Sequence, residues 1–273
     1  ELATAMPRAG GDYFFLDRAM GPLIGTVGGV GTYLALALKS AFALIGMGAY
    51  LALFIQFDDI RPVAIGLAVV FTILNIVGAK ESTTIQRVLV SVLIAVMGLF
   101  IIGGLISAAT GAGAAQTATD TAFLAGGFGG LLGTVGFVFV SYAGLTKIAS
   151  VSEEVVNPGR NIPLGMMLSI ISTTLIYVVG INMMNSLLPA ETFQSSLTPV
   201  ADAADSALGF LPGQLGVILV VASAVAAFAS TGNAGILAAS RYPLAMGRDH
   251  LLPRRFAQIT ERGTPLFSIL VTS

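Results

Sequence analysis

Two lysines lie inside otherwise apolar stretches of this sequence, and they are the side chains whose setting most suggests chemistry. Lys39 sits within TYLALALKSAFALIG, and helical spacing puts Gly28, Thr32, Ala35, Ala43 and Gly46 on its face. A charge in the middle of a membrane helix costs roughly 2.5–3.5 kcal/mol on insertion scales, so it normally faces protein or a cavity and handles a substrate or a coupling ion. The plainer alternative is a lysine paired with a backbone carbonyl that only holds a bundle together. Lys147 ends a compact polar and aromatic set, Phe137, Phe139, Ser141, Tyr142, Gly144 and Thr146. It can serve a site, pair with Glu153, or snorkel to a headgroup region. Glu153 and Glu154 facing Arg241 or Arg248 would make a gate-like ion pair; otherwise they are solvated loop charges. Ser230, Thr231 and Asn233, in AFASTGNAGILAASR, offer oxygens that can coordinate a cation or bond back to carbonyls four residues earlier. The single His250 lies in a charged loop and there is no Cys. No convergent nucleophile, acid/base pair or metal-ligand spacing is present, so catalytic residues and metal ligands are not expected.

These residues are embedded in a chain whose composition dictates its solvent. Of 273 residues, 55% are hydrophobic and only 10% charged, where soluble domains carry about a quarter. Charge-free runs of some 20 apolar residues are long enough to cross the hydrocarbon core as helices. Spans are expected at about 23–54, 63–78, 88–107, 128–150, 164–188 and 215–244, with the start of another at 265–273. The fold class is therefore all-α, a single polytopic membrane bundle over 1–273. Alternating strands of a membrane barrel are excluded. No basic patch with interleaved aromatics points to nucleic acid; the expected partners are the lipid bilayer and a small-molecule substrate.

The fourth span is the unusual one. Gly126, Gly127, Gly129, Gly130, Gly133 and Gly136 crowd its first third, and each glycine costs roughly 1 kcal/mol relative to Ala in a helix interior. Two readings stand side by side. An interrupted helix at mid-membrane is how many secondary transporters build a substrate site; small residues also let helices pack closely. Loop charge supplies orientation. Ten of the thirteen Lys and Arg residues fall on one set of alternating loops, from Arg8 and Arg18 through Lys80, Arg87 and Arg160 to Arg241, Arg248, Arg254, Arg255 and Arg262. That side should be cytoplasmic, with both ends of the sequence on it.

Three phrases together carry a resemblance. ELATAMPRAGGDY resembles the cytoplasmic end of the second helix in the amino acid–polyamine–organocation permeases. GFVFVSYAGLTKIASVSEEVVNPGRNIP is similar to their sixth helix, and ASRYPLAMGRDHLLPRRFAQITERGTP to the end of their eighth and the loop beyond. The sequence then reads as an interior fragment, from the end of helix two to the start of helix nine. The resemblance implies a partial five-plus-five inverted-repeat fold with a discontinuous helix at about 128–150. Its unwound segment would be Val140–Gly144, so that Phe139, Val140, Ser141, Tyr142, Ala143 and Gly144, with Lys147 and Lys39, bind substrate. The implied activity is secondary active transport of amino acids or related amines by symport or exchange at a cell membrane. Sodium or a proton would be the coupling ion, and no other cofactor is implied. A carrier of another solute, anions included, and a non-transporting membrane sensor are the alternatives. Some proton-coupled relatives carry a lysine in helix five where this sequence has Leu93, and many carry an acid near Thr146.

Overall fold

A computed structural model of the chain describes residues 10–55, 59–77, 79–110, 127–142, 144, 148, 152, 155–261 and 263–273. The long helices among them follow from apolar runs bounded by glycine, proline or charge; no strand occurs among the described residues. The helices are α1 (Gly11–Met20), α2 (Pro22–Leu51), α3 (Arg61–Val77), α4 (Ala79–Ala109), α5 (Gly127–Tyr142), α6 (Pro158–Leu187), three short ones α7 (Ala190–Ser195), α8 (Pro199–Asp202) and α9 (Ala204–Ala207), then α10 (Leu215–Arg248) and α11 (Leu266–Thr272). A 3-10 turn, Arg254–Ala257, precedes α11. Among the described residues, four stretches are long and apolar enough to cross a membrane: Pro22–Leu51, Arg87–Ala109, Pro158–Leu187 and Leu215–Arg248. Arg61–Val77 and Gly127–Phe139 are shorter apolar helices.

Local sequence explains the boundaries. Gly21 adopts φ 89, its N–H bonds Asp17 O, and α1 ends there; Pro22 at the next position has no N–H to lose and opens α2. The link Lys80–Arg87, expected as a polar loop, is helical and extends α4 towards its start. Likewise α6 begins at Pro158, a favoured first position, and α10 runs on to Arg248. The glycines that crowd the fourth span do not themselves interrupt it. Its backbone is helical through Gly129, Gly130, Gly133 and Gly136, because a helix is the one arrangement that satisfies backbone polar groups within the segment itself. Among the described residues, no atom lies within 4 Å of where a Cβ on any of those four would stand. The helix ends at Tyr142 and Gly144 lies in a turn.

The chain divides into two compact units, one comprising 1–91, 146–167 and 225–273, the other 92–145 and 168–224. The first has two apolar clusters. Tyr13, Phe14, Leu36, Ala238, Ala239, Tyr242, Ala245 and Met246 join α1, α2 and α10. Leu44, Met47, Phe71, Ala229, Ile236 and Ile269 join α2, α3, α10 and α11. Small residues set the α2–α10 approach: a Cβ on Gly235 would collide with Ser40 Oγ, and one on Gly232 would stand 2.9 Å from Leu44 Cδ2. In the second unit Gly104 of α4 abuts Met183 of α6, and Gly103 abuts the α9 end at Ala207 and Leu208.

Candidate substrate and coupling site

The sequence-expected substrate residues fall at the C-terminal end of α5. Phe139 is 73% exposed there. Ser141 Oγ donates back to Phe137 O at 3.1 Å, so this hydroxyl serves its own helix. Tyr142 is different: its hydroxyl donates to Thr174 Oγ1 of α6 at 2.9 Å, and its ring meets Tyr177 edge-on with centroids 5.6 Å apart. Thr174 and Tyr177 are one helical turn apart and so share a face. The three residues present two aromatic rings, suited to an ammonium group, and hydroxyls able to bond either end of a zwitterion. Val140 is helical and Gly144 is in the turn that follows. Ala143 and Lys147 lie outside the described residues, as do Glu153 and Glu154 of the expected gate. Thr174 and Tyr177 escaped the sequence reading, although a threonine and a tyrosine three residues apart in an apolar run are a usable signal.

In the first unit Lys39 is half-buried on α2. Its stripe of small residues is an interface, as their size suggests: Gly28 abuts Leu16 of α1, Gly46 abuts Phe228 of α10, and Thr32 Oγ1 donates to Asp12 Oδ2 at 2.6 Å. The three ion-coupling candidates sit on α10, Ser230 and Asn233 buried and Thr231 partly so. Asn233 Oδ1 accepts from Asn75 Nδ2 of α3 at 2.9 Å, and the same Asn75 amide nitrogen donates to Phe71 O at 2.8 Å. The Asn233 oxygen is thus spoken for by a cross-helix amide pair. Asn75 Oδ1, fully buried, has no hydrogen-bond partner among the described residues.

Arg241 is buried and Arg248 exposed at the same end of α10. Around them the structure reveals a charged clamp that the sequence reading did not single out. Tyr242 donates its hydroxyl to Asp12 Oδ1, Tyr13 donates to Asp249 Oδ2 at 2.9 Å, and Arg18 reaches Asp249 Oδ1 at 3.4 Å and Asp17 Oδ2 at 2.8 Å. The Arg18 guanidinium also lies 5.0 Å over the Phe14 ring. Burial first, and then the bond to the Asp249 carboxylate, pushes the Tyr13 hydroxyl above the ordinary phenol range. These contacts fix the short α1 against α2 and α10. Among the described residues no group of His, Cys, Asp and Glu is arranged to hold a metal ion.

With this geometry in view, comparison with known proteins is decisive. A family model described as "Amino acid permease" matches residues 1–273. The chain belongs to the amino acid permease family. It is a multi-pass membrane protein of a transporter family rather than an enzyme. It is 28% identical to "Cationic amino acid transporter 4, vacuolar" of Arabidopsis thaliana over 282 residues, covering 96% of the chain and 46% of that relative. "Cationic amino acid transporter 3, mitochondrial" of the same plant is 27% identical, covering 96% of the chain and 45% of the relative. An uncharacterised transporter of Mycobacterium tuberculosis is 28% identical over 263 residues, covering 96% and 56%. The chain spans about half the length of the curated relatives it matches. The relatives include vacuolar and mitochondrial proteins, so membership of the permease family does not specify which cellular membrane is crossed.

Proposed function

We propose that the full-length protein is a secondary active transporter of amino acids or related amines, working by alternating access through symport or exchange. The observation that carries this reading is the amino acid permease match over the whole chain. The Tyr142–Thr174–Tyr177 group supports it. Its Tyr142 lies where α5 ends, inside the segment that the family resemblance expects to be unwound, and the two aromatic faces suit a cationic or zwitterionic amine. Two of the relatives are named as cationic amino acid transporters, which makes lysine- and arginine-like substrates the first to try. The coupling ion is sodium or a proton. Ser230 and Thr231 are the residues to examine for the first, Lys39 and Lys147 for the second. Glu153 and Glu154 against Arg241 and Arg248 remain the proposed gate on the basic side, which the loop-charge bias makes cytoplasmic.

The test is uptake by the full-length protein in proteoliposomes, with labelled lysine, arginine and a neutral amino-acid mixture under an imposed sodium gradient, a proton gradient, or internal substrate. Uptake under one gradient establishes symport and names the ion; uptake only against preloaded substrate establishes exchange. If no amino acid or amine enters under any of the three, the proposed substrate class is wrong.

A further inference from the structure

The loop between α10 and α11 is not a simple connector. Gly263, at φ 76, allows a tight turn in which Thr260 N–H bonds Thr264 O and Gly263 N–H bonds Thr260 O, each at 2.9 Å. Thr264 Oγ1 donates to Ile76 O at 3.3 Å, tying the turn to the end of α3. On its other side Ser268 Oγ donates to Phe256 O at 3.1 Å, and the Phe256 and Phe267 rings pack edge-on at 4.7 Å. Two of these anchors hold the 3-10 turn against the start of α11, and the third ties the loop to α3. Beside them is a cavity of about 380 Å³ lined by Arg255, Gln258, Ile259, Thr260, Leu266 and Phe267.

We propose that this cavity binds the headgroup of an anionic phospholipid, with the acyl chains continuing along α11. The lining divides chemically in two. Arg255 and Gln258 supply a cation and a neutral hydrogen-bond donor for a phosphate oxygen, while the Thr260 hydroxyl is paired with Thr264 Oγ1 at 2.8 Å. Ile259, Leu266 and Phe267 form the rest of the wall and are 44%, 40% and 37% exposed. Beyond them Leu270 and Val271, 53% and 50% exposed, carry the same apolar stripe along the helix at i+4 spacing. A free anion would leave that wall in water, and a neutral hydrophobe would leave the guanidinium without a counter-charge. An amphiphile with a negative head satisfies both. Arg254 stands beside Arg255 on the same turn, whereas Glu261, the acid that follows Thr260, is not among the lining residues. The loop also belongs to the basic set, and basic segments next to a membrane attract anionic lipid.

The experiment measures binding of short-chain phosphatidylglycerol to the full-length protein in neutral detergent. Short-chain phosphatidylcholine and inorganic phosphate serve as the other probes, and Arg255→Gln, Arg254→Gln/Arg255→Gln and Arg255→Lys as variants. Phosphatidylglycerol should bind saturably and phosphatidylcholine only weakly. Each cation removed should weaken the former by about fivefold, and Arg255→Lys should retain most of it. Leu266→Asn should lower lipid binding while leaving the melting temperature within a few degrees, since Leu266 is exposed. Equal binding of the two lipids, or unchanged binding by the double arginine variant, would overturn the proposal. So would inorganic phosphate that binds as tightly as the lipid, which would make this a free-anion site.

Discussion

At the scale of single residues, the hydroxyl of Tyr142 separates a pocket side chain from a mere lining ring. Tyr142→Phe keeps the contact with Tyr177 and loses the bond to Thr174. If the Tyr142 hydroxyl also bonds the substrate, losing a bond of about 1 kcal/mol should raise the half-saturating substrate concentration about fivefold, and Tyr142→Ala should raise it further. Initial uptake rates across a substrate titration read this out, and an unchanged value for Tyr142→Ala would remove the residue from the site. The Asn75–Asn233 pair calls for a different measurement, the melting temperature in detergent. Asn233→Ala strands a buried amide and should cost about 1–2 kcal/mol, while Asn75→Leu/Asn233→Leu should cost less than the two single changes together. Interhelical hydrogen bonds in membranes average only about 0.6 kcal/mol, so an effect at the low end is still a result. If Asn233→Ala keeps its ion dependence, Asn233 is structural and the coupling role falls to Ser230 and Thr231. Lys39→Met should abolish most transport with the folded protein intact; normal uptake by this variant would leave Lys39 a packing residue. Asn233 was legible in the sequence as a polar group in mid-span. Its partner was not, because 158 residues separate the two and one sequence does not give the rotation of one helix against another.

Among elements, the glycines fall into two groups that look alike in sequence and differ in the fold. Gly235 and Gly104 sit where a Cβ would strike Ser40 and Met183, whereas the positions of Gly130, Gly133 and Gly136 meet nothing among the described residues. Gly235→Ala and Gly104→Ala should each lower the melting temperature, since overpacking a helix contact costs about 1–3 kcal/mol. Gly130→Ala should leave it unchanged or raise it, because alanine improves helix propensity by about 1 kcal/mol. A loss of stability in Gly130→Ala equal to that in Gly235→Ala would mean another helix packs on α5. The long helices were readable because length and apolarity are properties of the sequence alone. The glycines do not break the helix where they crowd, because propensity is a weak argument against a helix in an apolar medium, where the backbone has no other partner; the helix ends instead at Tyr142, within the segment expected to be unwound. The clamp around Asp12 and Asp249 was hidden for another reason: Tyr13 and Asp249 lie 236 residues apart, and nothing local marks a carboxylate that tethers a distant helix from one that faces water.

For the whole molecule the question is which way the chain threads the membrane, and its composition makes the answer measurable. The sequence contains no cysteine, so a single introduced thiol reports its own position, given a full-length background with any other cysteine replaced. Leu197, in the loop between α7 and α8, is 83% exposed, and Gln258, in the loop after α10, is exposed as well. The basic residues cluster with Gln258 and avoid the loop around Leu197, and insertion keeps Lys- and Arg-rich loops in the cytoplasm. A membrane-impermeant maleimide applied to intact cells should therefore label Leu197→Cys and leave Gln258→Cys unreacted until the membrane is opened. Adding phosphatidylglycerol to the opened membrane or to detergent-solubilised protein should then slow labelling of Gln258→Cys, because Gln258 lines the cavity proposed for a lipid headgroup. The reverse labelling pattern would invert the topology, put Glu153, Glu154, Arg241 and Arg248 on the outer side, and make the proposed cytoplasmic gate an external one. Labelling of both sites in intact cells would require Leu197 and Gln258 to share a face. That is incompatible with α10 crossing the bilayer, for Leu197 precedes this helix and Gln258 follows it, and α10 is the longest apolar helix among the described residues.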